Sequence, residues 1–501
     1  MKKIRLRVNG TYRELIVDAE TVLLDVLRED LRLTGAKQSC DRKGQCGACT
    51  VVVNGKAVRS CLTRMADLEA ADVITVEGLG TPDNPHLIQE AFVLSGAIQC
   101  GFCTPGMIMA AKALLDANPN PTVDDIKQAF RRNLCRCTGY VKIIEAVQLA
   151  GRFLRGETTP EAVRPTAAQG VMGVSHPRPS AMAKACGTAY FTADYPVRGA
   201  LELAVLRSSL PHARIVSIDA SEAEKMPGVA GVITAADIKG NNILKWTAVA
   251  DRPVLCRDKV RYVGDPILAV AADTRENAEQ ALAKVKVQLE PLPALSDPEK
   301  ALAADALPLH ADLPNLCYDQ PQIKGDAEKA MGDSAAVVAA RFKTQINHQA
   351  PLEPEATVAY WEKDEAGGED QLVIIGRSIN IHFHLGMLQS ALGWENMRYI
   401  EAFSGGQFGI KIDIISEGIA GAAAIHFKRP VRYIPSLLES MLMTSKRFAY
   451  DMQVKLAADA QGNLTAYCND FVIDNGAYFS TGHYAINRPL MTLSSSYNIP
   501  N

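Results

Sequence analysis

Eight of the twelve cysteines in this 501-residue chain lie within its first 137 residues, in two groups of four. The first group, spaced C-x5-C-x2-C-x11-C, consists of Cys40, Cys46, Cys49 and Cys61. The second group, spaced C-x2-C-x31-C-x-C, consists of Cys100, Cys103, Cys135 and Cys137. The opening residues lack the apolar stretch of a secretory signal peptide, so we do not expect structural disulfides. Clustered thiols in such a chain indicate metal binding.

The first group resembles the cluster loop of plant-type [2Fe–2S] ferredoxins. Three of its cysteines share one glycine-containing loop, and Cys61 follows on the far strand of a predicted hairpin. Plant-type ferredoxins have C-x4-C-x2-C and a distant fourth cysteine, so this chain has one extra residue in the first gap. Loops accommodate an extra residue more easily than helices or strands do. A structural zinc site is the alternative, but such sites usually have two C-x2-C pairs and this group has one.

The second group is compatible with a thiol–disulfide pair, half of a zinc site or an iron–sulfur site. Cys103 precedes Thr104 and Pro105, a typical helix start where free amides and the helix dipole stabilise a thiolate. A thioredoxin-like pair belongs in a β-α-β context rather than among helices. It also has no need of the second pair, Cys135 and Cys137. Two close pairs on neighbouring helices would supply four thiolates to one cluster, so the pattern favours an iron–sulfur site.

The apolar patterning predicts the elements that position these thiols. Residues 1–76 alternate around Asn-Gly turns and predict a small β-rich domain. Residues 77–155 repeat apolar positions three and four apart in four segments, which predicts a helical domain. Within it, Thr122 and Asp125 form a capping-box pattern.

The rest of the chain is predicted to be a linker followed by mixed domains. Residues 156–182 contain four prolines and no periodicity, which is typical of a linker. Strand and helix patterns then alternate, and they predict an α+β domain over 183–310 and the first part of another over 311–501. The predicted fold class is therefore α+β and multidomain.

Charge and hydropathy exclude two classes of protein. The formal net charge of −3 argues against nucleic-acid binding, which usually requires a basic excess. We also expect no membrane span, because no apolar run approaches the roughly 18 residues that one needs. The expected compartment is the cytoplasm.

The residues around the thiols carry a family resemblance that extends over nearly the whole chain. "CGFCTPG" followed by "NLCRCTGY" resembles the second [2Fe–2S] domain of the molybdenum hydroxylases, the family of xanthine dehydrogenase and aldehyde oxidoreductase. "QCGACTVVVNGK" resembles the first cluster domain of that family, and "FSGGQFGIK" resembles its Gly-Gly-x-Phe-Gly loop. The resemblance implies a β-grasp ferredoxin-like domain, a four-helix iron–sulfur domain and mixed α+β molybdenum-binding domains. The implied cofactors are two [2Fe–2S] clusters and a molybdenum–pterin cofactor in a dinucleotide form.

The same resemblance assigns roles to residues by position. Gln99 and the backbone at Cys137 would contact the pterin, which would place the second cluster beside it. Phe408 and Gly409, in the Gly-rich loop with Gly406, would present backbone N–H groups to an oxo ligand on molybdenum. An apolar residue follows Lys411 at position 412, where purine-oxidising members carry a carboxylate, and this favours an aldehyde or another non-purine substrate.

Two departures from the family pattern shape the expected partners. The linker is too short to contain the flavin domain of xanthine dehydrogenases, so we expect no FAD in this chain. Electrons would then pass to a separate acceptor, a ferredoxin, a flavodoxin or a flavin subunit. The chain also ends about halfway through the molybdenum-binding portion, so the general base is expected beyond Asn501 and no catalytic residue is assigned. We expect either a homodimer or a complex with a chain that supplies the missing half.

The sequence therefore predicts an oxidoreductase that converts an aldehyde to a carboxylic acid with water as the oxygen source. One alternative is an electron-transfer scaffold that is inactive without a second polypeptide, and another is a hydroxylase of N-heteroaromatic substrates. Three further sets of residues are weaker candidates. His382 and His384 are candidate ligands on one strand face, and the alternative is a structural or surface-exposed pair, which is more common for two histidines without a third ligand. Glu353 is interpreted as a pocket-lining or surface carboxylate, and the four scattered cysteines as buried small hydrophobic residues.

Overall fold

The protein is described by a computed structural model over residues 1–166, 170–246, 249–363 and 367–501. The N-terminal part is a five-stranded sheet with the strand order β2-β1-β5-β3-β4. Its strands are β1 (Lys2–Val8), β2 (Thr11–Val17), β3 (Thr50–Val53), β4 (Lys56–Arg59) and β5 (Asp72–Ile74). β1 pairs antiparallel with β2 and parallel with β5, as in a β-grasp fold. Helix α1 (Leu23–Asp25) continues as a π-helical turn (Val26–Asp30) and packs its leucines into the core beneath the sheet.

Both predicted Asn-Gly turns are present in this domain. Asn9 and Gly10 connect β1 to β2, while Asn54 and Gly55 connect β3 to β4. All four residues have positive φ, between 49° and 79°. Two consecutive left-handed residues match the twist of a two-residue hairpin, so these turns set the register of both strand pairs.

Four helices follow, as the apolar spacing predicts. They are α2 (Leu87–Leu94), α3 (Thr104–Ala117), α4 (Val123–Phe130) and α5 (Val141–Leu154). The predicted capping box at the start of α4 is confirmed, because the Thr122 side chain accepts from the Asp125 amide and the Asp125 carboxylate accepts from the Thr122 amide. The helices share a buried apolar core with the first two cysteines of the ferredoxin-like domain.

The predicted linker contains short helices and contacts the helical domain. Its helical turns are α6 (Pro160–Val163) and the start of α7 (Ala181–Ala185). Arg164 forms an ion pair with Glu90 of α2, so this part of the linker is fastened to the bundle. Residues 167–169 of the predicted linker lie outside the described residues.

The second half of the chain is organised around a seven-stranded sheet with the order β17-β16-β15-β18-β6-β12-β8. Its strands are β6 (Leu201–Arg207), β8 (Val229–Thr234), β12 (Pro266–Ala272), β15 (Thr357–Glu362), β16 (Gln371–Gly376), β17 (Met397–Glu401) and β18 (Val431–Tyr433). Helices α12 (Ile381–Leu392) and α13 (Ile415–Phe427) cover this sheet and fill the largest apolar core. The sheet takes strands from both sides of residue 310, so the two segments predicted as separate domains share one core. The boundary itself stays a prediction.

Smaller sheets and helices surround this central unit. The remaining strands are β7 (Ala213–Asp219), β9 (Ile243–Trp246), β10 (Val249–Pro253), β11 (Lys259–Val260), β13 (Lys286–Pro291), β14 (Ala336–Lys343), β19 (Ala449–Ala458) and β20 (Leu464–Asp474). The remaining helices are α8 (Ser221–Glu224), α9 (Arg275–Leu282), α10 (Pro298–Ala301), α11 (Ala327–Gly332), α14 (Leu437–Met443) and α15 (Gly482–Thr492). Within the described ranges, none of the helices is both long and apolar enough to cross a membrane.

Candidate functional site

The structure brings the first four cysteines together. Cys40, Cys46 and Cys49 lie in the loop between the π-helical turn and β3, and Cys61 lies just after β4. All four are buried and free of disulfides. The Cys46 thiol hydrogen-bonds to Cys40, which lowers the pKa of Cys40 to about 5 and raises the pKa of Cys46. Cys49 and Cys61 form a second hydrogen-bonded pair, and this contact raises the pKa of Cys49. Four converging thiols with loop amides donating to sulfur are the donor set of an iron–sulfur cluster.

A left-handed turn lies in the first gap, which is one residue longer than the plant-type spacing. Asp41 and Arg42 have φ values of 46° and 59°, and they reverse the chain between two ligand positions. The Asp41 carboxylate accepts from the Leu437 amide at 2.7 Å, at the start of α14. The loop that carries Cys40 thus contacts the second half of the chain.

The second four cysteines also converge, at the start of α3 and in the segment before α5. Cys103 is the N-cap residue of α3, as the Thr-Pro pattern predicts. Cys137 hydrogen-bonds to Cys100 and lowers the pKa of that thiol, while the bond between Cys103 and Cys135 raises the pKa of Cys103. The Cys135 sulfur also lies 3.1 Å from the Thr138 hydroxyl. This group is less buried than the first, since only Cys103 is fully covered.

Asn133 connects the segments that carry the two thiol groups through side-chain hydrogen bonds. The sequence patterns did not identify this residue. Its side-chain amide is buried and donates to the carbonyls of Gly47 at 3.0 Å and Gly106 at 3.2 Å. Gly47 and Gly106 are in such close contact that a Cβ on Gly106 would lie 2.3 Å from the Gly47 carbonyl. The only sequence signal for this role is the position of Asn133, two residues before Cys135.

The Gly-rich loop lies directly against the second thiol group. A Cβ on Gly405 would lie 2.7 Å from the ring of Phe102, which sits between Cys100 and Cys103. On the same side, Arg136 donates to the Gln349 carbonyl at 3.3 Å. The structure therefore places the loop of the second half next to the second cluster position.

The predicted loop contacts have the backbone geometry that an anionic ligand requires. Gly406, Phe408 and Gly409 all have positive φ, at 100°, 52° and 96°. In the described part of the chain, neither the Phe408 nor the Gly409 amide has a hydrogen-bond partner. A Cβ on Gly409 would meet no atom within 4 Å, so open space lies beside this residue. Adjacent free N–H groups in a left-handed turn form an anion-binding concavity.

Gln99 lies at the surface beside the linker. Its side chain is exposed, and its carbonyl accepts from Arg178 at 2.8 Å and from Lys184 at 3.2 Å. Arg178 of the linker and Lys184 just after it therefore fix the Gln99 backbone and leave its amide side chain available.

Glu353 is buried, which corrects the interpretation of this residue as equally well a surface carboxylate. Its Oε2 accepts from the Gly405 amide and from Lys411 Nζ, each at 2.6 Å. Arg377 lies 3.5 Å from the same oxygen and 2.6 Å from Glu355. Burial lowers the pKa of Lys411 and raises the pKa of Glu355. These buried charged groups hold the Gly-rich loop at a fixed distance from the second thiol group.

Buried polar atoms around the loop support its fit to a polar cofactor. Among the described residues, the buried atoms without a hydrogen-bond partner include Gln349 Oε1, Glu353 Oε1, Glu355 Oε1, Arg377 Nε and Gln407 Nε2. Unsatisfied buried groups cost roughly 1–3 kcal/mol each, so a ligand that pairs them is favoured. A pterin with its many donors and acceptors suits this set, and the thiol groups suit iron–sulfur clusters.

One other prediction from the sequence is wrong, and another holds only in part. His382 and His384 lie on helix α12 rather than on a strand, with His382 exposed and His384 buried, so they do not share a face. Of the four scattered cysteines, Cys186 and Cys256 are buried as predicted, but Cys317 and Cys468 are exposed. In the described ranges, no group of three or more His, Cys, Asp or Glu side chains is arranged to hold a single metal ion.

Four family models match the chain in the predicted order. They are a 2Fe-2S iron-sulfur cluster binding domain over residues 6–75, a [2Fe-2S] binding domain over 75–148, an aldehyde oxidase and xanthine dehydrogenase a/b hammerhead domain over 186–293, and a molybdopterin cofactor-binding domain over 309–501.

Similar proteins decide the family. The large molybdopterin subunit of nicotinate dehydrogenase from Eubacterium barkeri is 33% identical over 333 residues, which cover 66% of this chain and 77% of that subunit. The chain belongs to the molybdenum hydroxylase family. The small FeS subunit of nicotinate dehydrogenase from the same organism is 48% identical over 147 residues, 29% of this chain and 93% of that subunit.

Aldehyde oxidoreductase from Megalodesulfovibrio gigas is 39% identical to this molybdenum hydroxylase chain over 516 residues, which cover 99% of this chain and 56% of that protein. The solved aldehyde oxidoreductase from Desulfovibrio gigas has a TM-score of 0.94 at 38% identity, covering 100% of this chain and 57% of that one. The chain thus spans about half the length of these relatives.

The comparisons confirm the α+β multidomain fold and the cofactor set at the level of domains. This chain has two [2Fe–2S] domains and a molybdopterin-binding domain, in an enzyme family. The individual ligands, the pterin contacts and the cytoplasmic location stay predictions.

Proposed function

We propose that this chain holds two [2Fe–2S] clusters and part of a molybdenum site that oxidises an aldehyde to a carboxylic acid with water as the oxygen source. The observation that carries the proposal is the contact between Gly405 and Phe102, because it joins the Gly-rich loop to the second thiol group. When bound, the molybdenum–pterin cofactor supplies the two-electron chemistry and the clusters accept single electrons. The residues of this chain position that cofactor and carry the electrons away.

Each residue of the candidate site has a physical role in this proposal. The eight thiols hold the clusters as thiolates, and their burial excludes water from the first cluster. The Phe408 and Gly409 amides bind an anionic oxygen of the cofactor, while the Gln99 side chain contacts the pterin. The Lys411–Glu353 pair fixes the Gly405 amide and so sets the distance between the loop and the second cluster.

The aldehyde substrate is supported by one residue and one relative. Ile412 is half-buried and packs against the large apolar core, so it offers no carboxylate to a purine. Aldehyde oxidoreductase matches almost the entire chain. An N-heteroaromatic substrate is the second candidate, because the nicotinate dehydrogenase subunits also match.

The electron acceptor is proposed to bind beside the first cluster. A surface cavity of about 440 Å³ lies there, and Thr50, next to Cys49, forms part of its wall. Arg131 and Arg132 line the cavity, are exposed and have no ion pair in the described part of the chain. Unpaired arginines next to an electron exit favour an acidic protein acceptor such as a ferredoxin or flavodoxin.

Metal analysis and spectroscopy test the cofactor part of the proposal. Two [2Fe–2S] clusters predict about four iron atoms per chain and two distinct EPR signals after reduction. Cys61→Ser and Cys137→Ser should each remove one signal, from different clusters. Cys186→Ser is the matched control, since this cysteine is buried outside both groups and should leave both signals. Zinc without iron in the purified protein would overturn the proposal.

Turnover assays separate the candidate functions. If the purified chain reduces a dye with an aldehyde, it carries the activity alone. If it holds both clusters but turns over only after a second polypeptide is added, it is the electron-transfer scaffold. Faster dye reduction with nicotinate than with any aldehyde would replace the proposed substrate class by N-heteroaromatics.

A further inference from the structure

Lys184 is a buried lysine that contacts the two sequence neighbours of Cys100, the first cysteine of the second thiol group. Its side chain is 6% exposed and extends from the short helix α7. Its stem packs on Gly101, where a Cβ would lie 2.5 Å from Lys184 Cδ. Its Nζ donates to the Gln99 carbonyl at 3.2 Å. Gln99 and Gly101, which flank Cys100 in the sequence, therefore hold the Lys184 side chain in one place.

The charge of Lys184 acts on the thiols of this group. It interacts electrostatically with Cys100 and Cys137, and it lies 4.9 Å from the centre of the Phe403 ring. The ring shields one side of the ammonium from water, and a less polar environment strengthens charge–charge interactions.

Lys184 differs in one respect from two other buried lysines near the clusters. Lys37 pairs with Asp194 at 2.6 Å, and Lys411 pairs with Glu353 at 2.6 Å. Lys184 forms no salt bridge with any carboxylate in the described residues. Its hydrogen-bond acceptor, the Gln99 carbonyl, is neutral, so its positive charge stays locally unbalanced.

We propose that Lys184 raises the reduction potential of the cluster held by the second thiol group, relative to the potential without its charge. This inference rests on the proposed function, in which those four thiols hold a [2Fe–2S] cluster. On reduction the cluster gains one electron and its net charge becomes one unit more negative. A fixed positive charge stabilises that reduced form more than the oxidised form, so the cluster next to the Gly-rich loop becomes a better electron acceptor.

The test is a potentiometric titration of the purified iron-loaded chain, followed by EPR, with dithionite as reductant. Lys184→Gln should move the midpoint potential of the second cluster to a more negative value and leave the first cluster unchanged. Lys184→Arg keeps the charge and should restore the original potential. Arg178→Gln is the matched control, because Arg178 donates to the same Gln99 carbonyl from the exposed side. It should cause a clearly smaller shift.

Lys184→Met is a second neutral variant that keeps the apolar stem on Gly101, in case the glutamine variant does not assemble. An unchanged potential of the second cluster in either neutral variant, with both EPR signals at full intensity, would refute the inference. A shift that Lys184→Arg fails to reverse would also refute it, because packing rather than charge would then be responsible. If the unmutated chain shows no pair of [2Fe–2S] signals, the proposed function fails instead, independently of Lys184.

Discussion

The backbone carbonyl of Cys46 accepts a hydrogen bond from the Leu134 amide at 2.8 Å. Cys46 belongs to the first thiol group, and Leu134 immediately precedes Cys135 of the second. This hydrogen bond and the peptide unit between Leu134 and Cys135 therefore connect one cysteine of each thiol group. Together with the Asn133 side chain, which donates to the Gly47 carbonyl, the contact fixes the relative position of the ferredoxin-like and helical domains.

Asn133→Ala should destabilise this junction. The Asn133 side chain is buried and donates to the carbonyls of Gly47 and Gly106 and to the Thr50 hydroxyl. Its removal takes away three buried hydrogen bonds, although the Gly47 carbonyl still accepts from Thr50. We expect a loss of about 2 kcal/mol in the free energy of unfolding. Denaturant titration followed by the visible absorption of the clusters measures this. Gln128→Ala, an exposed amide on neighbouring α4, should change stability little, and an equal loss in both variants would contradict the role of Asn133.

Glu353→Gln should be much more damaging than loss of a surface carboxylate. It removes the negative charge that pairs with buried Lys411, and breaking one partner of a buried pair costs about 3–5 kcal/mol. Glu362→Gln breaks the exposed pair with Arg398 and should cost less than about 1 kcal/mol. Unfolding free energies of the two variants, with the molybdenum content of each, provide the comparison. Similar costs would show that Lys411 is not held by Glu353.

The cysteine groups and the elements that carry them could be predicted because their signals are local. Asn-Gly turns, the Thr-Pro start of α3 and the capping box at Thr122 depend on neighbouring residues, so spacing alone finds them. The spacing of the cysteines likewise indicates which thiols share a loop.

The electrostatic support of the site could not be predicted, since it depends on contacts between distant parts of the chain. Glu353 and Lys411 are 58 residues apart and Lys37 and Asp194 are 157 apart, yet each pair meets at 2.6 Å. The error over His382 and His384 had a different cause. "NIHFHLGM" alternates like a strand over a few residues, but its apolar positions also suit a helix, and packing against the large core decides for α12.

Reversing the charge of the arginines beside the first cluster should weaken reduction of an acidic acceptor protein. We expect Arg131→Glu and Arg132→Glu each to lower the second-order rate constant several-fold at low ionic strength, with a smaller effect at high salt. Stopped-flow oxidation of the dithionite-reduced chain by a flavodoxin measures the rate. Lys127→Glu on α4 is a control, because Lys127 already pairs with Asp124. An equal loss with a small neutral dye would show damage to the cluster instead.

Acid should loosen the turn that carries Gln349, through protonation of His348. The Ala350 amide donates to His348 Nδ1 at 3.0 Å, and Ala350 has a left-handed φ of 51°. Burial, with the Lys446 charge nearby, lowers the pKa of His348 from 6.5 to about 4. Because the pKa is lower in the folded state, the unfolded chain binds a proton between these values that the folded chain does not. Stability should therefore fall as the pH decreases from 6.5 to 4 and then become constant for this group.

His348→Asn keeps a side-chain acceptor for the Ala350 amide but cannot take up that proton. We expect this variant to lose part of the pH dependence of the unfolding free energy between pH 6.5 and 4, measured by denaturant titration at several pH values. His382→Asn, on the exposed face of α12, should keep the dependence of the unmutated chain. Since the Gln349 carbonyl accepts from Arg136 between two cluster cysteines, the second EPR signal should broaden over the same pH range. An identical pH dependence in His348→Asn and the unmutated chain would contradict this explanation.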